Sequence, residues 1–195
     1  YNKITVEQIK QEGYKGIIFT GGPNSVYDQN SPHYDPEILN AGVPILGICY
    51  GCQLMAYMAE GEITSAENSS EYGKTTVFTE DKVLFDGVPK RSICWMSHTD
   101  YVKTPPKGFS VIGFTDKCPC AAMCDRERKL YGVQFHPEVT HTVYGKQMLS
   151  NFIFSVCGCK REWKMENFVE TSVEKYKKEL AGKKVLLALS GGVDS

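Results

Sequence analysis

Apolar positions along this chain follow two rhythms. Up to about residue 60, short apolar runs alternate with stretches of helical spacing. Residues 16–20, Gly-Ile-Ile-Phe-Thr, enter Gly21-Gly22-Pro23, and β-branched content followed by such punctuation predicts a buried parallel strand ending in a loop. Before it, residues 4–12 place Ile4 and Ile9 at helical spacing. Asp35-Pro36 reads as a helix start, a cap followed by proline at the first helical position, and Gly42 as its stop. Residues 44–48 give a second strand and residues 54–60 a second helix. Alternating β and α predicts a parallel sheet with sites at the carboxyl ends of its strands. A helix leading into a strand, with nothing before it, looks like a doubly wound unit whose first strand is absent.

From Lys74 the rhythm changes. Short β-like pieces at residues 75–79, 92–96, 110–115, 121–125 and 130–134 are separated by Gly, Pro and charged turns, which predicts an antiparallel or mixed extension of the sheet. Residues 144–156 return to helical spacing, with Met148, Leu149, Phe152 and Val156 on one side. A further amphipathic helix over about 165–181 carries Val169, Val173, Tyr176 and Leu180 as its stripe, and residues 184–189 form a new buried strand. The expected fold is therefore α/β, an open mixed, mostly parallel sheet flanked by helices and truncated at its N-terminal side. One domain is expected over 1–157, its first strand missing. A linker with a connecting helix covers 158–183, and the start of a second domain 184–195.

Composition narrows the function classes. At 195 residues and net charge −1, without a basic block, the chain lacks the clustered Lys and Arg that nucleic acid or an acidic membrane surface would select. A small polar substrate is the better expectation. The apolar runs are strand-sized and fall short of the roughly 18 to 20 residues of a membrane span. Eight cysteines in a core-rich chain of this size suit reduced thiols in the cytoplasm better than a secreted disulfide framework.

Candidate chemistry centres on Gly47-Ile48-Cys49-Tyr50-Gly51-Cys52-Gln53. Strand, sharp turn, then helix, with small residues flanking a cysteine, is the pattern of a nucleophile elbow. A thiol there sits at a helix N-terminus, where unpaired amides favour the thiolate, the attacking species. The same stretch also fits a small buried cysteine, so the partners must decide. A cysteine nucleophile needs a base, and the base needs an acceptor for its other ring nitrogen. His136 and Glu138, in Gly132-Val133-Gln134-Phe135-His136-Pro137-Glu138, have that relation, with Pro137 restraining the backbone between them. Acyl transfer also needs donors aimed at the developing oxyanion, and the amides of Gly22 and Tyr50 are the candidates.

Together, Gly-Gly-Pro, Gly-Ile-Cys-Tyr-Gly-Cys-Gln and Gly-Val-Gln-Phe-His-Pro-Glu resemble the class I (triad) glutamine amidotransferases over about residues 14–156. The resemblance implies an open α/β fold and hydrolysis of glutamine to glutamate and ammonia. It implies Cys49 as nucleophile, His136 as acid and base, and Glu138 as orienter of His136. It further implies that Gln53, Ser97, His98, Thr99 and Asp100 line the glutamine pocket, although His98 alone reads equally as an ordinary strand-end histidine. Thr99 and Glu60-Gly61 depart from the Gly and Gly-Gly frequent in the family, which touches fine contacts and leaves the triad intact.

The tail, Ser190-Gly191-Gly192-Val193-Asp194-Ser195, resembles the pyrophosphate-binding loop of the ATP pyrophosphatases, whose backbone amides approach phosphate. Joined to a triad amidotransferase, it implies a ligase of purine biosynthesis that uses ammonia from glutamine for ATP- and Mg²⁺-dependent amination of xanthosine monophosphate. The same resemblance implies no cofactor for the glutaminase half-reaction and at most glutaminase activity for these residues. It also implies a homodimer formed through a C-terminal region beyond them. Glu71-Tyr72-Gly73, Trp95-Met96-Ser97-His98 and Val139-Thr140-His141-Thr142 fit the same subgroup. A class I subunit serving anthranilate or carbamoyl phosphate synthesis is the alternative that residues 190–195 speak against; an inactive docking module is another. Cys49 with Cys52, the Cys118, Cys120, Cys124 group and Cys157 with Cys159 do not complete a four-ligand metal pattern, so no metal site is expected.

Overall fold

The computed structural model describes residues 4–65, 70–162 and 165–186. These residues fall into two units that divide between Cys159 and Lys160. In the first, helix α1 (Val6–Glu12) begins at a reciprocal cap: Gln8 N donates to Thr5 Oγ1 at 3.2 Å while Thr5 N donates to Gln8 Oε1 at 2.8 Å. Gly13, at φ 68°, ends it in the left-handed conformation that glycine adopts without strain. Strand β1 (Ile17–Phe19) follows, and β2 (Ile45–Ile48) leads directly into α2 (Tyr50–Met58). Between β1 and β2 the expected helix is a short 3-10 turn, Pro36–Asn40, capped by Asp35, whose Oδ1 accepts from Glu37 N at 2.9 Å. Glycine at residue 42 (φ 75°) stops it before a full α-helical register is established.

Strands β3 (Glu62–Ser65), β4 (Glu71–Thr79), β5 (Arg91–His98), β6 (Asp100–Thr104), β7 (Ser110–Phe114), β8 (Ala122–Asp125) and β9 (Leu130–Val133) come next. Seven strands form one sheet in the order β1-β2-β9-β8-β7-β4-β5, and β3 pairs with β6 in a separate antiparallel ribbon. The sheet is mixed, as the two rhythms predict, but it is not mostly parallel. Only β1 with β2 and β2 with β9 run parallel, and the four other pairings are antiparallel. From β4 to β5, β7 to β8 and β8 to β9 the chain returns antiparallel to the strand before it without a crossover, which parallel neighbours need, and β4 with β7 adds an antiparallel pair between strands not consecutive in the chain.

Every residue of β2, β8 and β9 is buried, as strands covered on both faces must be, whereas β5 alternates, burying Ser92, Cys94, Met96 and His98. One core lies on the side of Leu46, Ile48, Phe135, Met148 and Phe152. The other gathers Ile45, Leu54, Met55, Met123 and Leu130 with Val6 and Ile9 of α1. The helix expected over 144–156 is α3 (Gly145–Ser150), which widens into a π-helical turn, Asn151–Val156. At the change the buried Asn151 amide donates to Leu84 O (2.9 Å) and Asp86 O (2.8 Å), tying the helix to the loop after β4.

The second unit contains α4 (Met165–Glu179), with Val169, Val173 and Tyr176 along one side. Residues 184–186 have no strand structure; the rest of the strand expected at 184–189, and the whole loop from Ser190 to Ser195, lie outside the described residues.

Candidate active site

Cys49 stands between the last residue of β2 and the first of α2, at φ 51° and ψ −110°. Such a conformation costs a non-glycine residue about 1–3 kcal/mol and persists only where its surroundings over-determine it. They do so here from two sides. Cys49 N donates to Val133 O at 2.8 Å, carrying the β2–β9 ladder up to the turn, while its carbonyl accepts from Cys52 N (3.0 Å) and Gln53 N (3.1 Å) as the helix cap. The flanking glycines are steric necessities. A Cβ on Gly47 would come within 2.5 Å of Gly51 O, and one on Gly51 would run into Phe19 O. The bend therefore closes only with glycine on both sides.

His136 follows the end of β9 and is pinned by its backbone. Its N donates to Trp95 O at 3.0 Å, and its carbonyl accepts from Thr142 Oγ1 at 2.5 Å, the same hydroxyl that accepts from Trp95 N at 3.0 Å. Buried Thr142 thus clamps the histidine loop to β5. Gly145 at the start of α3 fits under the Pro137 carbonyl, where no Cβ could sit. On this support His136 Nδ1 meets Glu138 Oε1 at 2.7 Å. A Cβ on Gly21 would lie 3.0 Å from His136 Cε1 and 3.6 Å from Cys49 Cβ, so the β1 loop passes beside both side chains. His136 is pushed up to about 9, first by its hydrogen bond to the Cys49 sulfur and then, against the opposing effect of burial, by Glu138.

These groups open on a cleft of about 560 Å³ lined by Gly22, Cys49, Gln53, Ser97, His98, Thr99, Asp100 and His136. All five residues expected in the glutamine pocket are therefore brought to the same cavity. Ser97 meets Cys49 through its backbone, its carbonyl accepting from the Cys49 thiol at 3.6 Å. Gln53 commits its amide nitrogen to Asp100 O at 2.6 Å. Thr99 Oγ1 and Tyr72 OH lie 2.8 Å apart at the rim. Of the two expected oxyanion donors, Gly22 lines the cleft. Tyr50 turns its ring against Gly22 and donates its hydroxyl to Pro32 O at 2.6 Å, on the side of a neighbouring apolar cavity. The sequence reading missed Asn24, Ser25, Asp28 and Tyr72 in the lining, and Gln134 and Thr142 behind it. Gln134 had a signal, as a polar residue between the apolar strand β9 and the apolar Phe135.

Behind His98 stands a second constellation. His98 Nε2 lies 3.3 Å from Glu71 Oε2, and Thr115 Oγ1 lies 2.9 and 3.0 Å from the two carboxylate oxygens. Ligand-capable atoms of Glu71, His98 and Cys118 fall within 4.8 Å of one another. Both oxygens of Glu71 already have partners, and burial pushes the Cys118 thiol far up, which favours a hydrogen-bonded cluster over a cation site. Burial likewise pushes His98 down, against the pull of Glu71. All eight cysteines are free thiols; Cys52 faces away from the cleft, toward Gly132.

The sequence profile of the family described as glutamine amidotransferase class-I matches residues 1–156. The chain belongs to that family. Class-I amidotransferase architecture also recurs in solved structures. A Thermoplasma acidophilum protein superposes with a TM-score of 0.63 at 26% identity, over 85% of this chain and 80% of its own. A Thermotoga maritima glutamine amidotransferase does so with 0.57 at 24%, over 88% and 75%, a likeness of fold alone. Among curated relatives, a Clostridium botulinum protein named GMP synthase (glutamine-hydrolyzing) is 55% identical over 192 residues, which are 98% of this chain and 38% of the relative. A Ruminiclostridium cellulolyticum protein of the same name is 54% identical over 196 residues, with 100% and 38% covered. The chain thus spans 38% of the length of these curated relatives. Among the described residues no helix is long and apolar enough to cross a membrane.

Proposed function

We propose that this chain is the glutamine-hydrolysing part of a GMP synthase, a carbon–nitrogen ligase that makes GMP from xanthosine monophosphate in the cytoplasm with glutamine as nitrogen donor. The observation that carries the reading is the strained Cys49 beside a His136–Glu138 pair, opening on one cleft. In this reading the Cys49 thiolate attacks the carboxamide carbon of glutamine, and the amides of Gly22 and Tyr50 hold the resulting oxyanion. His136, protonated and oriented by Glu138, gives its proton to the departing nitrogen, releasing ammonia and leaving a thioester. The neutral imidazole then takes a proton from water as the water oxygen attacks the thioester. Glutamate leaves, and the sulfur regains its starting state. Gln53, Ser97, His98, Thr99 and Asp100 hold the substrate.

The second half of the reading rests on the curated relatives and on Ser190-Gly191-Gly192-Val193-Asp194-Ser195. ATP phosphates and Mg²⁺ would bind at that loop in the whole enzyme, supplying activation of the acceptor, and the whole enzyme would be a homodimer. The test is ammonia release from glutamine, combined with labelling by a glutamine-derived chloroketone and peptide mapping. We expect hydrolysis and modification at Cys49 alone among the eight thiols. Modification elsewhere, or no hydrolysis in a folded chain, would overturn the reading in favour of a docking module.

A further inference from the structure

Gln134 is wholly buried, one residue past the end of β9, where a long polar side chain needs partners for every donor and acceptor it carries. Its backbone N donates to Ala121 O at 2.9 Å. Its side chain lies between Gln53 and the candidate nucleophile: Nε2 is 3.7 Å from Cys49 Sγ, and Oε1 is 3.2 Å from Gln53 Nε2. The direction of this relay is fixed from its far end. The Asp100 carbonyl can only accept, so Gln53 must turn its NH₂ toward it, at 2.6 Å. The second hydrogen of that NH₂ goes to Gln134, which must therefore present its oxygen to Gln53 and its NH₂ to the sulfur. The Asp100 carbonyl thereby decides that Gln134 turns its donor, and not its acceptor, to Cys49, whose thiol meets the Ser97 carbonyl at 3.6 Å.

We propose that Gln134 is a positioning residue for the nucleophile, donating to the Cys49 sulfur and favouring its anionic form, with Gln53 and the Asp100 carbonyl enforcing the orientation of the amide. This rests on Cys49 being the nucleophile. Gln134 acts through the thiol and touches no substrate. It supplies from the buried side a donor complementary to His136, which approaches from the cleft.

The experiment measures alkylation of Cys49 by iodoacetamide, a probe too small to depend on the glutamine pocket, across a pH series with peptide mapping. Gln134→Met keeps the volume and removes the donor, and should slow alkylation about tenfold, the scale of one hydrogen bond to a charged group. Gln134→Glu sets a carboxylate against the sulfur and should slow it roughly a hundredfold near pH 8, with the deficit narrowing as pH falls and the carboxyl regains a proton to donate. Gln53→Glu leaves Gln134 in place but favours its reversed orientation, and should cost about as much as Gln134→Met; it serves as the test if the Gln134 variants do not fold. Equal rates in all chains, or one pH-independent deficit shared by Gln134→Met and Gln134→Glu, would overturn the proposal. If a glutamine-derived chloroketone fails to modify Cys49 in the unaltered chain, the nucleophile reading fails instead.

Discussion

Two constellations built from the same three residue types meet at the cleft, one opening on it through Cys49 and His136 and the other buried behind His98. Cys49, His136 and Glu138 form one; Cys118, His98 and Glu71 form the other. They differ in access to water and in backbone. The His136 and Glu138 side chains are 17% and 45% exposed, whereas those of His98 and Glu71 are 1% and 6% exposed. Cys49 is held in a strained turn at the head of α2, and Cys118 is wholly buried. In the first set the histidine is pushed up to about 9, beside a sulfur that can share the proton. In the second, burial pushes the histidine down and the thiol up, so both rest neutral. Proton transfer needs groups that can change charge at little cost, and burial removes that freedom. The comparison teaches that the residue triplet does not make a catalytic site; the solvent it retains and the partners that hold it do.

The strongest way to break this comparison is to delete both thiols in turn. Cys49→Ala should lower glutaminase turnover on the order of 10⁴-fold or more, as loss of a nucleophile does in other triad enzymes. Cys118→Ala should keep most of the turnover and cost about 1–2 kcal/mol of stability, read from denaturant melts. Equal losses of turnover would erase the distinction between the two sets. Next in size are the histidine and its orienter. His136→Ala should slow turnover roughly 10³-fold, the range of a general acid and base, and Glu138→Gln roughly tenfold, since the ring keeps a hydrogen-bonding partner. Steady-state kinetics of the two variants decide it, and an intact rate in His136→Ala would end the triad assignment.

How much of this could be read from sequence follows from how local each feature is. The turn at Cys49 was legible because its requirement, glycine at 47 and 51, is met within five residues. His136 and Glu138 were legible because one proline sets their relation. The Glu71–His98–Thr115 cluster was not, because cross-strand register places Glu71 opposite His98, and the β4–β7 pairing brings up the strand whose exit carries Thr115. The β3–β6 ribbon has no long apolar run to announce it, and its pairing slips register at Glu62 and Ile63. The antiparallel extension from Lys74 onward was legible in its short strands and turns, but the order in which those strands join the sheet was not, because pairings such as β4 with β7 are fixed by contacts distant in sequence.

A smaller effect sharpens the same contrast through stability. Glu71→Ala leaves the His98 ring and the Thr115 hydroxyl with a lost partner in a dry site, and should cost roughly 2–3 kcal/mol. Glu138→Ala, on a carboxylate 45% exposed, should cost well under 1 kcal/mol because water replaces it. Denaturant midpoints of the two variants compare them directly, and a larger loss from Glu138→Ala would reverse the assignment of which set is structural.

The smallest effect is in pH dependence, where the two histidines should act with opposite sign. His136 is raised in the fold from 6.5 to about 9, so the folded state holds its proton more tightly. Its contribution to stability is fully present below about 6.5 and is lost as pH rises through about 9. Screening of a partly exposed pair keeps it to no more than about 1 kcal/mol. His98 is lowered, so the folded state resists its protonation and is penalised as pH falls below 6.5. Thermal melts of His136→Asn should therefore fall below those of the parent chain at pH 6 and converge with them near pH 10. Melts of His98→Asn should lose to the parent most at neutral pH and least in acid, where the substitution removes a group that would have to charge in a dry site. Two variants whose deficits change with pH in the same direction would show that both rings sit in like surroundings, and the contrast between the two constellations would fall with it.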